Sequence, residues 1–220
     1  MPRVWPRRFC CDEDLALIGA DGCFAAEELA SWRSRGPRRT TQELIDAIQA
    51  QGVEGAVVLD IGAGVGAIHT ALLEAGASNA VDVDASREYL ATARAEAERR
   101  GLAGRVEYRY GDVVELAADL PPADIVTLDS VVCCYPNLRA LLHAAVTSRP
   151  RLVGMIYPRD VWWMLLYMRL YNLVHSLRRS PACYFAFRHR DVRAVLVGAG
   201  YSETYDAGSP SWRVVLYRRG

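Results

Sequence analysis

The feature that most constrains this chain is a glycine-rich turn, Asp60-Ile61-Gly62-Ala63-Gly64-Val65-Gly66, set between a short apolar run and a helical segment. Glycines at such a turn adopt backbone angles that a Cβ forbids and let the main chain approach a ligand closely. The pattern around it repeats. Apolar runs at 56–61, 79–83, 105–110, 124–128 and 152–156 read as buried strands, and 66–75, 86–100 and 138–148 between them read as helices. Strands alternating with helices predict an α/β chain with a parallel sheet covered on both faces. The end of the chain breaks the rhythm. After a helix at 191–197, segments 201–206 and 212–217 flank Gly208-Ser209-Pro210 and predict a hairpin or an antiparallel edge.

Ahead of the first strand, a helical stretch at 25–34 ends at Gly36-Pro37, and Thr40 with Glu43 forms a capping-box pattern that starts a helix carrying Leu44, Ile45 and Ile48 on one stripe. The expected organisation is an N-terminal helical arm or lid over 1–39 and a single domain over 40–220, with an apolar helical cap insertion at about 157–190. A chain of 220 residues fits one such domain. With 51% apolar and 24% charged residues it is neither disordered nor fibrous. Its 26 basic and 26 acidic residues cancel, so global charge does not mark a nucleic-acid binder. Every basic residue is arginine, which removes both Schiff-base lysine chemistry and a P-loop.

Six cysteines at 10, 11, 23, 133, 134 and 183 form no CxxC pair, so neither a zinc ribbon nor a disulfide framework is expected. Cys10, Cys11 and Cys23 lack the fourth ligand that a structural zinc site takes, and no metal is expected. Residues 1–8 lack the apolar core of a secretory signal, and no apolar run is long enough for a membrane span. A reducing cytoplasm is the expected compartment.

Three carboxylates fall in order at strand ends: Asp60 in the turn, Asp84 18 residues past Gly66, and Asp112 after Gly111. The rim at the carboxyl ends of parallel strands is where open α/β sheets bind ligands. Gly62, Gly64 and Ala67 also fit a dinucleotide fingerprint. Asp60, however, would repel a pyrophosphate at the turn and attract a cation. Asp84 is placed to accept from ribose hydroxyls, and Asp112 to accept from an adenine amine.

With these residues in view, the sequence resembles the class I S-adenosylmethionine-dependent methyltransferases. The resemblance rests on VVLDIGAGVG at 57–66, NAVDVDAS at 79–86, VEYRYGDVVEL at 106–116 and ADIVTLDSVVCCYP at 123–136. It implies a Rossmann-like, seven-stranded, mostly parallel sheet with an antiparallel last strand and helices on both faces. It also implies S-adenosylmethionine as donor and S-adenosylhomocysteine as product. Asp60, Gly62, Gly64 and Gly66 would hold the methionine portion, Asp84 with Ala85 the ribose, and Asp112 with Val113 the adenine. Asp129 would sit beside the methionine end. A finer resemblance, to magnesium-protoporphyrin O-methyltransferases and related bacterial small-molecule enzymes, rests on Tyr135-Pro136 and the arginine-rich helix start ahead of the core. Those enzymes tend to carry histidine before Tyr-Pro, where this chain has Cys134.

Methyl transfer chiefly requires alignment of donor and acceptor and exclusion of water. Asp129 and Tyr135 are the candidate catalytic groups on the acceptor side, with packing at the pocket wall as the alternative for Tyr135. Residues 161–177 contain thirteen apolar or aromatic residues, with Arg169, Asn172 and Ser176 on one stripe. A helix so apolar must bury against something. Three partners are open for it: the active site, which it would cap; the rest of the core or a second copy in a homodimer; and a membrane surface, with arginines at 178, 179, 188 and 190 meeting headgroups. The expected function is methyl transfer to a hydrophobic or amphipathic small molecule, at oxygen. The rivals are a non-catalytic binder of the donor, a nucleic-acid or tetrapyrrole methyltransferase, and a nicotinamide-dependent reductase.

Overall fold

The computed structural model describes residues 23–177 and 184–220. Two helices precede the sheet, α1 (Cys23–Arg35) and α2 (Arg39–Gln49). The alternating core follows: β1 (Val57–Ile61), α3 (Ala67–Glu74), β2 (Asn79–Asp84), α4 (Arg87–Arg99), β3 (Val106–Tyr110), α5 (Val113–Leu116), β4 (Ile125–Asp129), α6 (Leu138–Ala145) and β5 (Leu152–Pro158). The chain ends with α7 (Trp162–Leu177), α8 (His189–Gly198), β6 (Tyr201–Gly208) and β7 (Trp212–Arg219). All strands join one seven-stranded sheet in the order β3-β2-β1-β4-β5-β7-β6.

Strands β1 to β5 pair in parallel, with Val58 opposite both Ala80 and Ile125. The hairpin is as expected. Strand β7 runs antiparallel to β5, Ile156 opposite Val214, and antiparallel to β6 on its other side. The last strand is thus the sheet's single reversed member, inserted between β5 and β6.

Successive side chains on a strand point to opposite faces, so each buried strand feeds two cores. Leu59, Ile61, Val81, Val126 and Met155 join Leu141 of α6 and Val192 and Leu196 of α8. Val58, Ala80, Ile125 and Leu216 join Leu44, Ile45 and Ile48 of α2 and Ile68 and Leu72 of α3. The order of strands turns back between β1 and β4, and loops at their carboxyl ends diverge there to open a crevice.

The start of α2 differs from expectation. The helix begins at Arg39, with Arg38 before it, and no side chain caps it. Glu43 is drawn away from the capping box to the far edge of the sheet. Its Oε1 accepts from the Tyr205 hydroxyl at 2.9 Å and from the Gly208 amide at 3.1 Å. A carboxylate that closes a β-hairpin end onto a helix satisfies two groups at once, against one in the box.

Candidate functional site

Gly62, Gly64 and Gly66 all have φ near +60 to +80°, at 62°, 58° and 83°. At Gly62 the close approach matters as much as the angle: a Cβ there would lie 2.5 Å from Cγ2 of Val131. Beneath the turn, Asp60 is 1% exposed. Its Oδ1 accepts from the Thr127 hydroxyl at 2.7 Å, and its Oδ2 accepts from the His69 amide at 3.3 Å and lies 3.0 Å from His69 Nδ1. The carboxylate expected to contact a ligand instead ties the turn to α3 and β4. It lines the crevice with both oxygens already engaged. Gly66 heads α3 and does not line the crevice; its role is to leave room for the His69 ring, 2.7 Å from where a Cβ would stand.

Asp84 faces the crevice from the end of β2. Its oxygens accept from the amides of Gly64 at 3.3 Å and Ser86 at 2.8 Å. Burial pushes its pKa up to about 6, with the charge of Asp60 adding and those amide bonds opposing. Asp82, two residues earlier on the same face, is fully buried, and neither carboxylate oxygen has a hydrogen-bond partner. Burial, then the charges of Asp60 and Asp84, hold its pKa well above the ordinary value.

Asp112 caps α5, accepting from the Val114 amide at 2.9 Å. The Tyr135 hydroxyl donates to the same carboxylate, 3.2 and 3.0 Å from its two oxygens. Burial, then the bond to Asp112, push the Tyr135 pKa far above its ordinary value. This hydroxyl therefore braces the crevice wall and is not poised to take a proton from an acceptor. Asp129 is engaged as well, accepting from Thr41 at 2.6 Å and Ser130 at 2.8 Å, with Arg38 3.9 Å away. Ser130 adopts φ 65°, a left-handed angle that side chains rarely take and that is frequent beside functional sites.

Asp60, Gly62, Gly64, Asp84, Ala85, Asp112, Val113, Asp129 and Tyr135 all line one cavity of about 720 Å³. That lies within the range of small-molecule sites, about 300–1,000 Å³. Residues 58–148 match the family model described as a methyltransferase domain. Over that stretch the chain is similar to the methyltransferase-domain family. Ribosomal protein L11 methyltransferase of Edwardsiella ictaluri (strain 93-146) is 31% identical over 114 residues, 49% of this chain and 39% of its own length. The chain thus spans about two fifths of that curated relative. Among solved structures, magnesium protoporphyrin IX methyltransferase (ChlM) of Synechocystis PCC 6803 with bound S-adenosylhomocysteine superposes with a TM-score of 0.69 at 18% identity, covering 90% of this chain and 87% of that one. An O-methyltransferase family protein of Burkholderia thailandensis gives 0.66 at 16%, over 83% and 57%. The [4+2]-cyclase SpnF gives 0.62 at 13%, over 80% of each chain.

The roof of the cavity comes from the arm, not from the apolar helix. Glu28, Ser31 and Trp32 of α1 line it, with Arg38 and Thr41 at the start of α2. The arm is fastened by Tyr89, whose hydroxyl donates to Glu28 at 3.1 Å, and by Arg33 on Glu96 at 2.6 Å. No residue of α7 lines the cavity, so the expectation that this helix caps the site is corrected. It packs instead on Cys133, under the turn that follows β4.

Thr41, Trp32, Glu28 and Tyr89 carry no sequence signal of their own, because only the docking of α1 and α2 over the strand ends brings them to the crevice. Tyr110 was nearer to hand, since it directly precedes Gly111-Asp112; it lines the cavity with Arg87 stacked 3.7 Å over its ring. Of the three cysteines weighed as metal ligands, Cys10 and Cys11 lie outside the described residues, as does the side chain of Cys23. Elsewhere His189, Glu203 and Asp206 lie within ligand distance of one another. Arg213 stands 3.4 Å from Asp206 and the Tyr157 hydroxyl lies 2.7 Å from His189 Nδ1, so the group is already engaged by neighbouring side chains, outside the cavity.

Proposed function

We propose that the protein is an S-adenosylmethionine-dependent methyltransferase acting on a hydrophobic or amphipathic small molecule, at oxygen. The observation that carries the reading is the four-carboxylate wall of the cavity: Asp60, Asp84, Asp112 and Asp129 surround a turn whose glycines leave its backbone open to a ligand. That donor set fits a nucleoside bearing positive charge and repels a pyrophosphate, which disfavours the reductase reading.

When bound, the donor supplies an electrophilic methyl group on a sulfonium. The chain's own residues do the rest. Asp84, already fixed by Gly64 and Ser86, has acceptor capacity left for ribose hydroxyls. Asp112 is held by Tyr135 and Val114 at the adenine end. Asp129, fixed by Thr41, borders the methionine end. Trp32, Val65, Ile68, Val131 and Leu141 give the remaining wall an apolar character that excludes water and suits an apolar acceptor. The preference for oxygen follows the resemblance to small-molecule O-methyltransferases. The same reading keeps the enzyme in the reducing cytoplasm, in keeping with the buried thiol of Cys133.

One observation favours a second reading, a non-catalytic binder of the donor: Tyr135 and Asp129 are both held by other side chains of the protein. Incubation of the protein with isotopically labelled donor and cell extract separates the two. Label transferred to an extractable small molecule, gaining one methyl mass, is the expected result; donor binding without any transfer would favour the binder, and label on RNA or protein would overturn the acceptor class.

A further inference from the structure

Helix α7 reaches the protein through a narrow strip. Met164 and Met168 are buried against Cys133, and Asn172 exchanges two hydrogen bonds of 2.8 Å with the backbone of Tyr184. Asn172 therefore faces the protein, while Arg169, Ser176 and the apolar side of the helix turn out. Trp162 is 77% exposed, and Leu166, Leu170, Leu173 and Leu177 lie between 47 and 76% against the described residues. Their spacing of four, four, three and four places them on one line, with Tyr167 and Val174 alongside. At 1.5 Å per residue the line runs about 24 Å.

The charge around this line is one-sided. Between Asp160 and Asp191 the sequence holds Arg169, Arg178, Arg179, Arg188 and Arg190 and no acidic residue, in a chain whose charges cancel overall at 26 to 26. Arg169, Arg188 and Arg190 are exposed. No described helix is long and apolar enough to cross a membrane.

We propose that α7 docks on the surface of an anionic lipid bilayer, its tryptophan–leucine line set at the boundary between headgroups and acyl chains. Such helices carry tryptophan and leucine on the inserted side and arginine toward the headgroups. Aromatic side chains favour that interfacial depth. A second copy of the chain fits less well. A two-fold interface sets the same patch against itself, and this segment offers no carboxylate to meet its arginines. An anionic surface supplies the missing charge. The proposal stands apart from the reaction assigned to the cavity.

Flotation of the full chain with vesicles of phosphatidylcholine, with and without phosphatidylserine, tests it. The protein is expected to float with the phosphatidylserine vesicles and to be released by high salt. Leu170→Asp should lower the bound fraction about tenfold or more, and Arg169→Glu should lower it on anionic vesicles only, both with unchanged circular dichroism and donor affinity. Failure of the unaltered protein to float, or equal flotation of Leu170→Asp, would overturn the proposal. So would sedimentation showing a dimer that Leu170→Asp converts to monomer while neither form binds vesicles, since the line would then belong to a second copy.

Discussion

Asp84 is ionised at neutral pH but only by a modest margin, because burial holds its pKa at about 6. Hydroxyls donate to the carboxylate, so donor affinity should fall on acidification, by up to about tenfold per pH unit below that value. Calorimetric affinities across the range should show this slope, and Asp84→Asn should flatten it while weakening binding near neutrality. Stability runs the other way. A carboxyl whose folded pKa lies above its unfolded one stabilises the fold fully below about pH 4 and loses that contribution as pH rises through about 6. Asp82, with no partner for either oxygen, follows the same sign. Asp82→Asn should therefore leave Tm nearly unchanged in acid and raise it above the unaltered protein's as pH increases. At the turn, Gly62→Ala meets both a φ of 62° and Cγ2 of Val131 at 2.5 Å. A loss of about 1–3 kcal/mol is expected, seen as a Tm lower by several degrees, and Val131→Ala should restore part of it.

Helix α1 depends on Glu96 of α4. This buried carboxylate takes charge-assisted bonds from Arg33 of α1 and from Arg99 and Arg100 of its own helix. Those bonds, that of Arg99 foremost, bring its pKa down to about 2 against the desolvation of burial. The depressed value means a contribution present above the ordinary carboxylate pKa and lost as pH falls from about 4.5 through 2. Glu96→Gln should destabilise by about 2–3 kcal/mol, below the ~3–5 of a fully buried pair because the arginines reach solvent. It should also loosen the arm, read as faster proteolysis near Arg35-Gly36. Elements with a local cause were legible in the sequence: the alternating strands and helices, the glycine turn, and the hairpin around Gly208-Ser209-Pro210 all appear where the pattern put them. Features set by distant partners were not. Glu43 has a capping spacing but binds β6, Asp60 has a ligand-facing position but binds His69 and Thr127, and Asn172 of the α7 polar stripe pairs inward with the Tyr184 backbone. In each case a contact many residues away outweighed the local signal.

Across the whole molecule, one sheet does two jobs. Its reversal between β1 and β4 opens the crevice, and its strand ends deliver Asp60, Asp84 and Asp129 to it, with Asp112 just beyond β3. In a chain of zero net charge this local excess of carboxylate is what gives the crevice its sign. Thermal unfolding should register the consequence: S-adenosylmethionine at about 100 times its Kd should add about 2.7 kcal/mol of stability. The most direct measurement is a calorimetric titration of the full chain, near neutral pH, with S-adenosylmethionine and with NADH. A crevice built for a cationic nucleoside saturates with one equivalent of S-adenosylmethionine and gives no binding heat with NADH; tighter binding of NADH would contradict it.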